Sequence, residues 1–134
     1  MPDAPDGTLI VEIGITLGQS SIPPSSTSQL AIVALNRLTT SSGTYGTVVS
    51  YTVPAASTFE LEAIEVICDD YDNLQLQLTI AGVVQFTDKY ILGPFNPSFG
   101  GANLVAGAVV LLEAKSDGSA SIKVDGAIEG KVVS

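Results

Sequence analysis

Short runs in which apolar residues alternate with polar ones constrain the fold of this chain more than any other feature. The clearest run covers residues 74–80, LQLQLTI, where every second side chain is apolar. A period of two places those side chains on one face of a β-strand, because successive residues point to opposite faces. Turn-forming residues separate this run from its neighbours. The chain is therefore predicted to consist of short strands joined by turns.

From Thr44 onward the sequence predicts seven or eight such strands, with no helical spacing between them. This order excludes a sheet of parallel βαβ units. It predicts an all-β fold, a jelly-roll or related Greek-key β-sandwich with an extended N-terminal arm. We divide the 134 residues into an arm and linker, residues 1–43, and a β-sandwich body, residues 44–134.

The predicted core follows from strand parity. Apolar positions change parity between Leu61 and Ile64, and one extra residue in a strand has this effect, so a β-bulge is expected near Ala63. The residues expected in the core are Phe59, Leu61, Ile64, Val66, Leu76, Leu78, Phe86, Val110, Leu112, Ile122 and Val124.

Two dipeptides predict tight turns. Ala81-Gly82 is expected to close a hairpin, and Asp117-Gly118 is expected to close another, with residues 120–124 as its return strand. A separate strand is expected over residues 127–133. The stretch 93–101 contains so many glycines and prolines that no regular structure is predicted there.

A second alternating run lies near the N-terminus and is followed by Pro23-Pro24 and several serines. It can be the first strand of the sandwich, or an arm that pairs with a neighbouring subunit or scaffold. An exposed apolar strand has to be covered, and adding it to another sheet would do so. On the second interpretation, the candidate partner-binding residues are Leu9, Val11, Ile13, Ile15, Leu17 and Arg37. As a single exposed charge, Arg37 is expected to contribute little.

Residues 30–38 fit two structures. Ser28 can cap a short helix that places Leu30, Ala34, Leu35 and Leu38 on one side. A buried strand fits the same length. The all-β context favours the strand, and the loop that follows, residues 39–43, is expected to lead into the body.

Charge and composition exclude several functions. The formal net charge is −9, and such a surface repels nucleic acid and anionic membranes. No apolar run approaches the roughly 20 residues that span a bilayer. Histidine, the commonest general base and metal ligand, is absent. Cys68 is expected to be a buried structural thiol. The sequence thus predicts a protein that is not an enzyme and needs no cofactor.

The acidic stretch 69–73, DDYDN, is the remaining candidate for metal binding. Asp70 and Asp72 supply oxygen ligands at alternate positions, as calcium loops do. The next alternate position is Leu74, however, and the glycine that such loops need is missing. We therefore predict a solvated loop between two strands and no metal site.

The stretch 50–61, SYTVPAASTFEL, resembles a phrase found in virion proteins of tailed phages. There a strand ends in Thr-Val-Pro-Ala and resumes as Thr-Phe-x-Leu. Residues 104–107, LVAG, and 116–118, SDG, also resemble those proteins. The similarity covers residues 44–134. The family consists of small jelly-roll modules that include capsid decoration (cement) proteins and pieces of tails or fibres.

The resemblance implies a structural protein of the virion. Cement proteins of this kind often form homotrimers and clamp neighbouring subunits of the major capsid protein with N-terminal arms. The expected function is therefore stabilisation of a phage capsid from its outside, without nucleic-acid or membrane binding. A tail, neck or fibre-associated jelly roll is the first alternative. A carbohydrate-binding module is the second, and the absence of tryptophan disfavours it.

Overall fold

Two four-stranded antiparallel sheets packed face to face make up the part of the chain that the computed structural model describes, residues 28–134. The all-β sandwich predicted from the sequence is confirmed. A single 3-10 turn, Tyr71–Asn73, interrupts the strands of this part. The strands are β1 (Gln29–Thr40), β2 (Gly46–Thr52), β3 (Thr58–Cys68), β4 (Leu74–Ile80), β5 (Val83–Lys89), β6 (Ser98–Leu104), β7 (Val109–Ser116) and β8 (Ile122–Val133).

The strand order is that of a jelly roll. One sheet runs β1-β8-β3-β6 and the other β2-β7-β4-β5, so strands distant in the chain lie side by side. Eight strands divided in this way between two sheets correspond to two Greek keys. The order places β1 and β6 at the edges of the first sheet, and β2 and β5 at the edges of the second.

β1 belongs to the sandwich. It pairs with β8 residue by residue, from Gln29 opposite Val133 to Thr40 opposite Ile122. Residues 30–38 are therefore a strand and not a helix. The predicted burial is wrong, however, because the strand lies at the edge of its sheet and exposes Leu30, Val33 and Leu35. The predicted arm and linker of residues 1–43 thus contains one strand of the first sheet, and residues 1–27 lie outside the described residues.

The core fills the space between the sheets, as strand parity predicts. Of the eleven predicted core residues, all but Phe86 are buried. Phe86 is half-buried because it lies on the edge strand β5, where its ring packs edge-on against Phe95 at 6.0 Å between centroids. The core also includes Val48, Val53 and Ile128, which the prediction did not name.

Two local predictions are confirmed. The register of β3 shifts between Leu61 and Ala63 against both of its neighbours, which is the expected bulge. Ala81 and Gly82 have φ values of +52° and +80° and join β4 to β5 as a two-residue hairpin. Positive φ at both central positions matches the right-handed twist of the flanking strands.

The hairpin predicted at Asp117-Gly118 is wrong. β7 lies in one sheet and β8 in the other, so this turn carries the chain across the sandwich. The Asp117 N–H donates to the Asn73 carbonyl at 2.7 Å, which ties the turn to the neighbouring loop. A turn dipeptide specifies the local bend but not the sheet that receives the next strand. β8 is also one continuous strand of twelve residues, not two.

A strand also forms where none was predicted. β6 begins at Ser98, within the glycine- and proline-rich residues 93–101. It pairs with β3 alone, and its register shifts beside the bulge. Gly100 and Gly101 have φ values of +62° and +77°, which glycine adopts without strain. These glycines let β6 follow the bulged strand. The loop predicted over residues 39–43 begins two residues later, at Ser41, since β1 extends to Thr40.

Candidate partner-binding surface

The open edge of β1 is the main feature of this surface. β8 pairs with one side of β1, and no strand within residues 28–134 pairs with the other side. The edge is twelve residues long and carries a single charged side chain, Arg37. A long apolar edge with unpaired backbone N–H and C=O groups readily accepts another strand.

Apolar side chains occupy both faces of β1. Ile32, Ala34 and Leu38 pack against the core. On the outer face, Val33 is 60% exposed and Leu35 is 72% exposed. An apolar residue that faces solvent contributes nothing to the core, so a cluster of them indicates a contact surface.

A shallow depression of about 140 Å³ lies beside Leu35 on the outer face of the first sheet. Ala127 of β8 stands between Leu35 of β1 and Glu65 of β3, and its short side chain leaves a hollow between two longer ones. The exposed side chain of Ile67 extends the apolar area. The lining residues are Leu35, Glu65, Ile67, Asp125, Gly126 and Ala127.

Arg37 forms an ion pair with Asp125 at the border of this depression. Its Nε donates to Asp125 Oδ1 at 2.6 Å and its Nη2 donates to Oδ2 at 2.9 Å. This two-pronged geometry is the strongest form of such a pair. The hydrogen bond lowers the pKa of Asp125 and raises the pKa of Arg37. The Arg37 guanidinium, a candidate for binding a partner, is thus bound to a carboxylate of its own chain.

The other proposed partner-binding residues, Leu9, Val11, Ile13, Ile15 and Leu17, lie outside the described residues. The place where their segment joins the body is defined. Ser28 and Ser134 exchange backbone hydrogen bonds of 3.2 and 3.0 Å, immediately before β1 begins. Residues 1–27 therefore join the body at the start of the open edge strand.

A larger depression lies on the second sheet. It has a volume of about 530 Å³ and opens between the β4–β5 turn and the loop that joins β6 to β7. No aromatic or charged side chain lines it. The lining residues are Thr79, Ala81, Gly82, Val105, Gly107, Ala108, Val109 and Leu111.

A polar network occupies the other end of the second sheet. The Tyr45 hydroxyl donates to Asp88 Oδ1 at 2.7 Å, and the Lys115 Nζ lies 2.9 Å from the same oxygen. Lys115 also lies 4.6 Å from the centroid of the Tyr45 ring. The hydrogen bonds from Lys115 and then Tyr45 lower the pKa of Asp88, while burial raises the pKa of Tyr45. These groups satisfy one another, as structural networks do.

The acidic loop after β3 is shaped by its own side chains. Asp69 Oδ1 accepts the Lys123 N–H at 2.9 Å, and Asp70 Oδ2 accepts from Asn73 Nδ2 at 2.8 Å. Cys68 is buried beside them, and burial raises the pKa of its thiol. Within residues 28–134, no group of three or more His, Cys, Asp or Glu side chains is placed to hold a metal ion.

No family model and no curated protein sequence matches this chain. The described part of the chain contains no helix long and apolar enough to cross a membrane.

Sequence reasoning missed Val33, Leu35 and Ile67 as surface residues. The run LAIVAL places apolar residues at both parities, so no alternation marks the outer face of β1. Ile67 lies in a strand where Val66 and Cys68 are buried, and its outward direction follows from parity. The sequence alone therefore indicates that Ile67 points outward, although it does not indicate that Ile67 belongs to a contact surface.

Proposed function

We propose that this chain is a structural virion protein of the capsid decoration, or cement, type. It would bind the outside of a phage capsid as an oligomer and stabilise the shell. The observation that carries the proposal is the open edge of β1, with exposed Val33 and Leu35, at the point where residues 1–27 join the body. A module with such an edge is suited to pairing with other chains.

The mechanism is the addition of interface between capsid subunits. The alternating segment of residues 9–17 pairs with a neighbouring subunit, while the body rests on the shell. Anything that binds the assembled state and not the disrupted one shifts the equilibrium toward assembly. Backbone hydrogen bonds supply affinity, and the apolar stripe supplies specificity.

Three further features support a binding role over catalysis. The chain has no histidine, and its lone thiol is buried. On the second sheet, Asp88 and Lys115 form an ion pair, and Glu113 accepts a hydrogen bond from Gln77. The stretch 50–61, which resembles tailed-phage virion proteins, spans the end of β2, the following turn and the start of β3.

A carbohydrate-binding module is less well supported. Sugar sites present an aromatic platform, and neither of the two depressions has an aromatic lining residue. A tail, neck or fibre-associated jelly roll would use the same open edge, and the experiment below separates it from a cement protein.

The test is co-sedimentation of the full chain with empty capsids and, separately, with isolated tails of the phage that encodes it. Wild type is expected to sediment with capsids. Leu35→Asp and Ile13→Asp each place an unpaired carboxylate in the proposed contact, where burial is costly, and should weaken binding at least tenfold. Two control variants add the same charge and should bind as wild type does. Thr39→Asp lies on the same exposed face of β1 as Leu35. Thr16→Asp lies among residues 9–17 but at the parity opposite to that of the apolar residues.

Two results would contradict the proposal. Sedimentation with tails and not with capsids would assign the chain to the tail. Equal binding by the Leu35, Ile13 and control variants would show that neither β1 nor the apolar stripe takes part. Circular dichroism of each variant establishes that it is folded.

A further inference from the structure

The end of the sandwich where β1 begins carries no charged side chain. Residues 28–30, 52–58, 80–84, 104–109 and 132–134 meet there, and none of them is Asp, Glu, Lys or Arg. We call this surface the uncharged end. The opposite, charged end contains Asp69, Asp70, Asp72, Asp88 and Asp117.

Backbone hydrogen bonds hold the turns of the uncharged end together. The Val53 N–H donates to the Ala108 carbonyl and the Gly107 N–H donates to the Val53 carbonyl, both at 2.9 Å. The Ala81 N–H donates to the Val109 carbonyl at 2.9 Å. The three turns that follow β2, β4 and β6 are therefore one preformed surface.

This surface exposes apolar side chains. Val105 is 70% exposed and Val83 is 62% exposed. Val105 lines the depression of about 530 Å³ together with aliphatic, glycine and threonine residues, and Val83 directly follows the lining residue Gly82. A contiguous apolar surface around a depression of this size is typical of a contact site.

The charge distribution selects a second copy as the occupant. With a net charge of −9, two copies repel each other in most orientations. Screening at physiological ionic strength acts over about 8 Å, so like charges brought together at a contact still repel. Contact through the uncharged ends keeps Asp69, Asp70, Asp72 and Asp117 at the far sides of both molecules, together with the Asp88–Lys115 ion pair.

The position of the termini is consistent with this contact. Ser28 and Ser134 are paired at the uncharged end, so residues 1–27 of each copy begin beside the contact. The eleven residues 18–28 reach up to about 36 Å when extended. Each segment of residues 9–17 is thus connected to its body by a length of chain that could extend along the neighbouring copy.

We propose that the uncharged end is the surface through which this chain associates with further copies of itself. The inference deepens the proposed function, because it rests on the chain acting as an oligomer and names the surface that forms it. Val83, Val105 and the lining of the depression are the contact residues.

The test is the mass of the full chain in solution by light scattering, across a range of concentrations. Wild type is expected at a multiple of 13.7 kDa. Val105→Asp and Val83→Asp should each raise the dissociation constant at least tenfold. Leu92→Asp is the matched control, because Leu92 is 99% exposed in the loop between β5 and β6 and the charge change is the same. It should keep the mass of wild type.

A photo-crosslinker at position 105 gives a second measurement that does not depend on a destabilising substitution. It should link two copies, and one at position 92 should not. A wild-type mass of 13.7 kDa throughout, or an unchanged mass in both valine variants, would overturn the inference. Dissociation of Leu92→Asp to the same extent would overturn it too, since charge alone would then be responsible. Capsid binding is measured separately, so a monomer that binds capsids would overturn the self-association and leave only the capsid-binding part of the proposed function standing.

Discussion

The two ends of the sandwich are formed by the same strands but differ in how they are held and what they expose. At the uncharged end, three turns are joined by backbone hydrogen bonds and present aliphatic side chains. At the charged end, backbone bonds such as that from the Asp117 N–H to the Asn73 carbonyl at 2.7 Å are supplemented by side-chain bonds, as where Tyr90 donates to Asp117 at 2.6 Å. One jelly roll thus carries a surface that tolerates contact with a like-charged copy and another that opposes it.

The two ends differ in their surfaces, but buried side chains should contribute similarly to the free energy of unfolding at both ends. Leu61 is buried near the uncharged end and Leu74 near the charged end, and both are fully enclosed. Leu61→Ala and Leu74→Ala should each lower the free energy of unfolding by about 2–5 kcal/mol, the range for a buried leucine that leaves a cavity. Urea unfolding measures both. A loss near zero at either position would show that one end of the core is open to water.

The two ends should respond differently to acid. The hydrogen bonds from Lys115 and Tyr45 lower the pKa of Asp88 in the folded protein. A lowered pKa adds stability above the ordinary aspartate pKa of about 3.9, and this stability is lost as the pH falls through the folded pKa. The difference in unfolding free energy between wild type and Asp88→Asn should therefore be largest near neutral pH and shrink below about pH 4. Asparagine tolerates the positive φ of +50° at this position.

A difference between wild type and Asp88→Asn that does not change with pH would mean that the network adds no charge-dependent stability. Val105→Asp offers the comparison at the other end, because wild type has no titratable side chain in the turns there. At concentrations where wild type is dissociated, its effect on unfolding should stay small, since the Val105 side chain is exposed in the single chain.

The smallest expected effect concerns the turn after β2. Ala56 has a φ of +61°, a left-handed conformation that costs a residue with a Cβ roughly 1–2 kcal/mol. Ala56→Gly removes that cost but makes the unfolded chain more flexible, so a net gain of up to about 1 kcal/mol is expected. Ala55→Gly, at a neighbour without positive φ, should instead lose about 0.4–1 kcal/mol. A loss in both variants would show that the Ala56 conformation is not strained.

Much of the fold was predictable because parity and turn chemistry are local. Alternation identified the buried members of β3, β4, β7 and β8, and the change of parity near Ala63 identified the bulge. The partner of β8 was not predictable from Asp117-Gly118, because sheet membership depends on long-range pairing. The glycine content around Gly100 and Gly101 predicted no regular structure there, yet these two glycines allow β6 to follow the bulge of β3.

The candidate surfaces were less predictable than the fold. The absence of charge in residues 53–57, 81–82 and 105–108 is visible in the sequence. Only the jelly-roll topology brings these turns to one end, however. The outer face of β1 gave no signal at all, because Val33 and Leu35 lie within a run that is apolar at both parities.

We propose that this chain stabilises a phage capsid by binding its outside. The temperature at which empty capsids rupture, measured with and without saturating amounts of the full chain, tests this proposal. Wild type should raise the rupture temperature, and Leu35→Asp and Ile13→Asp should each raise it less. An unchanged rupture temperature, with the chain bound to the capsids, would contradict the claim.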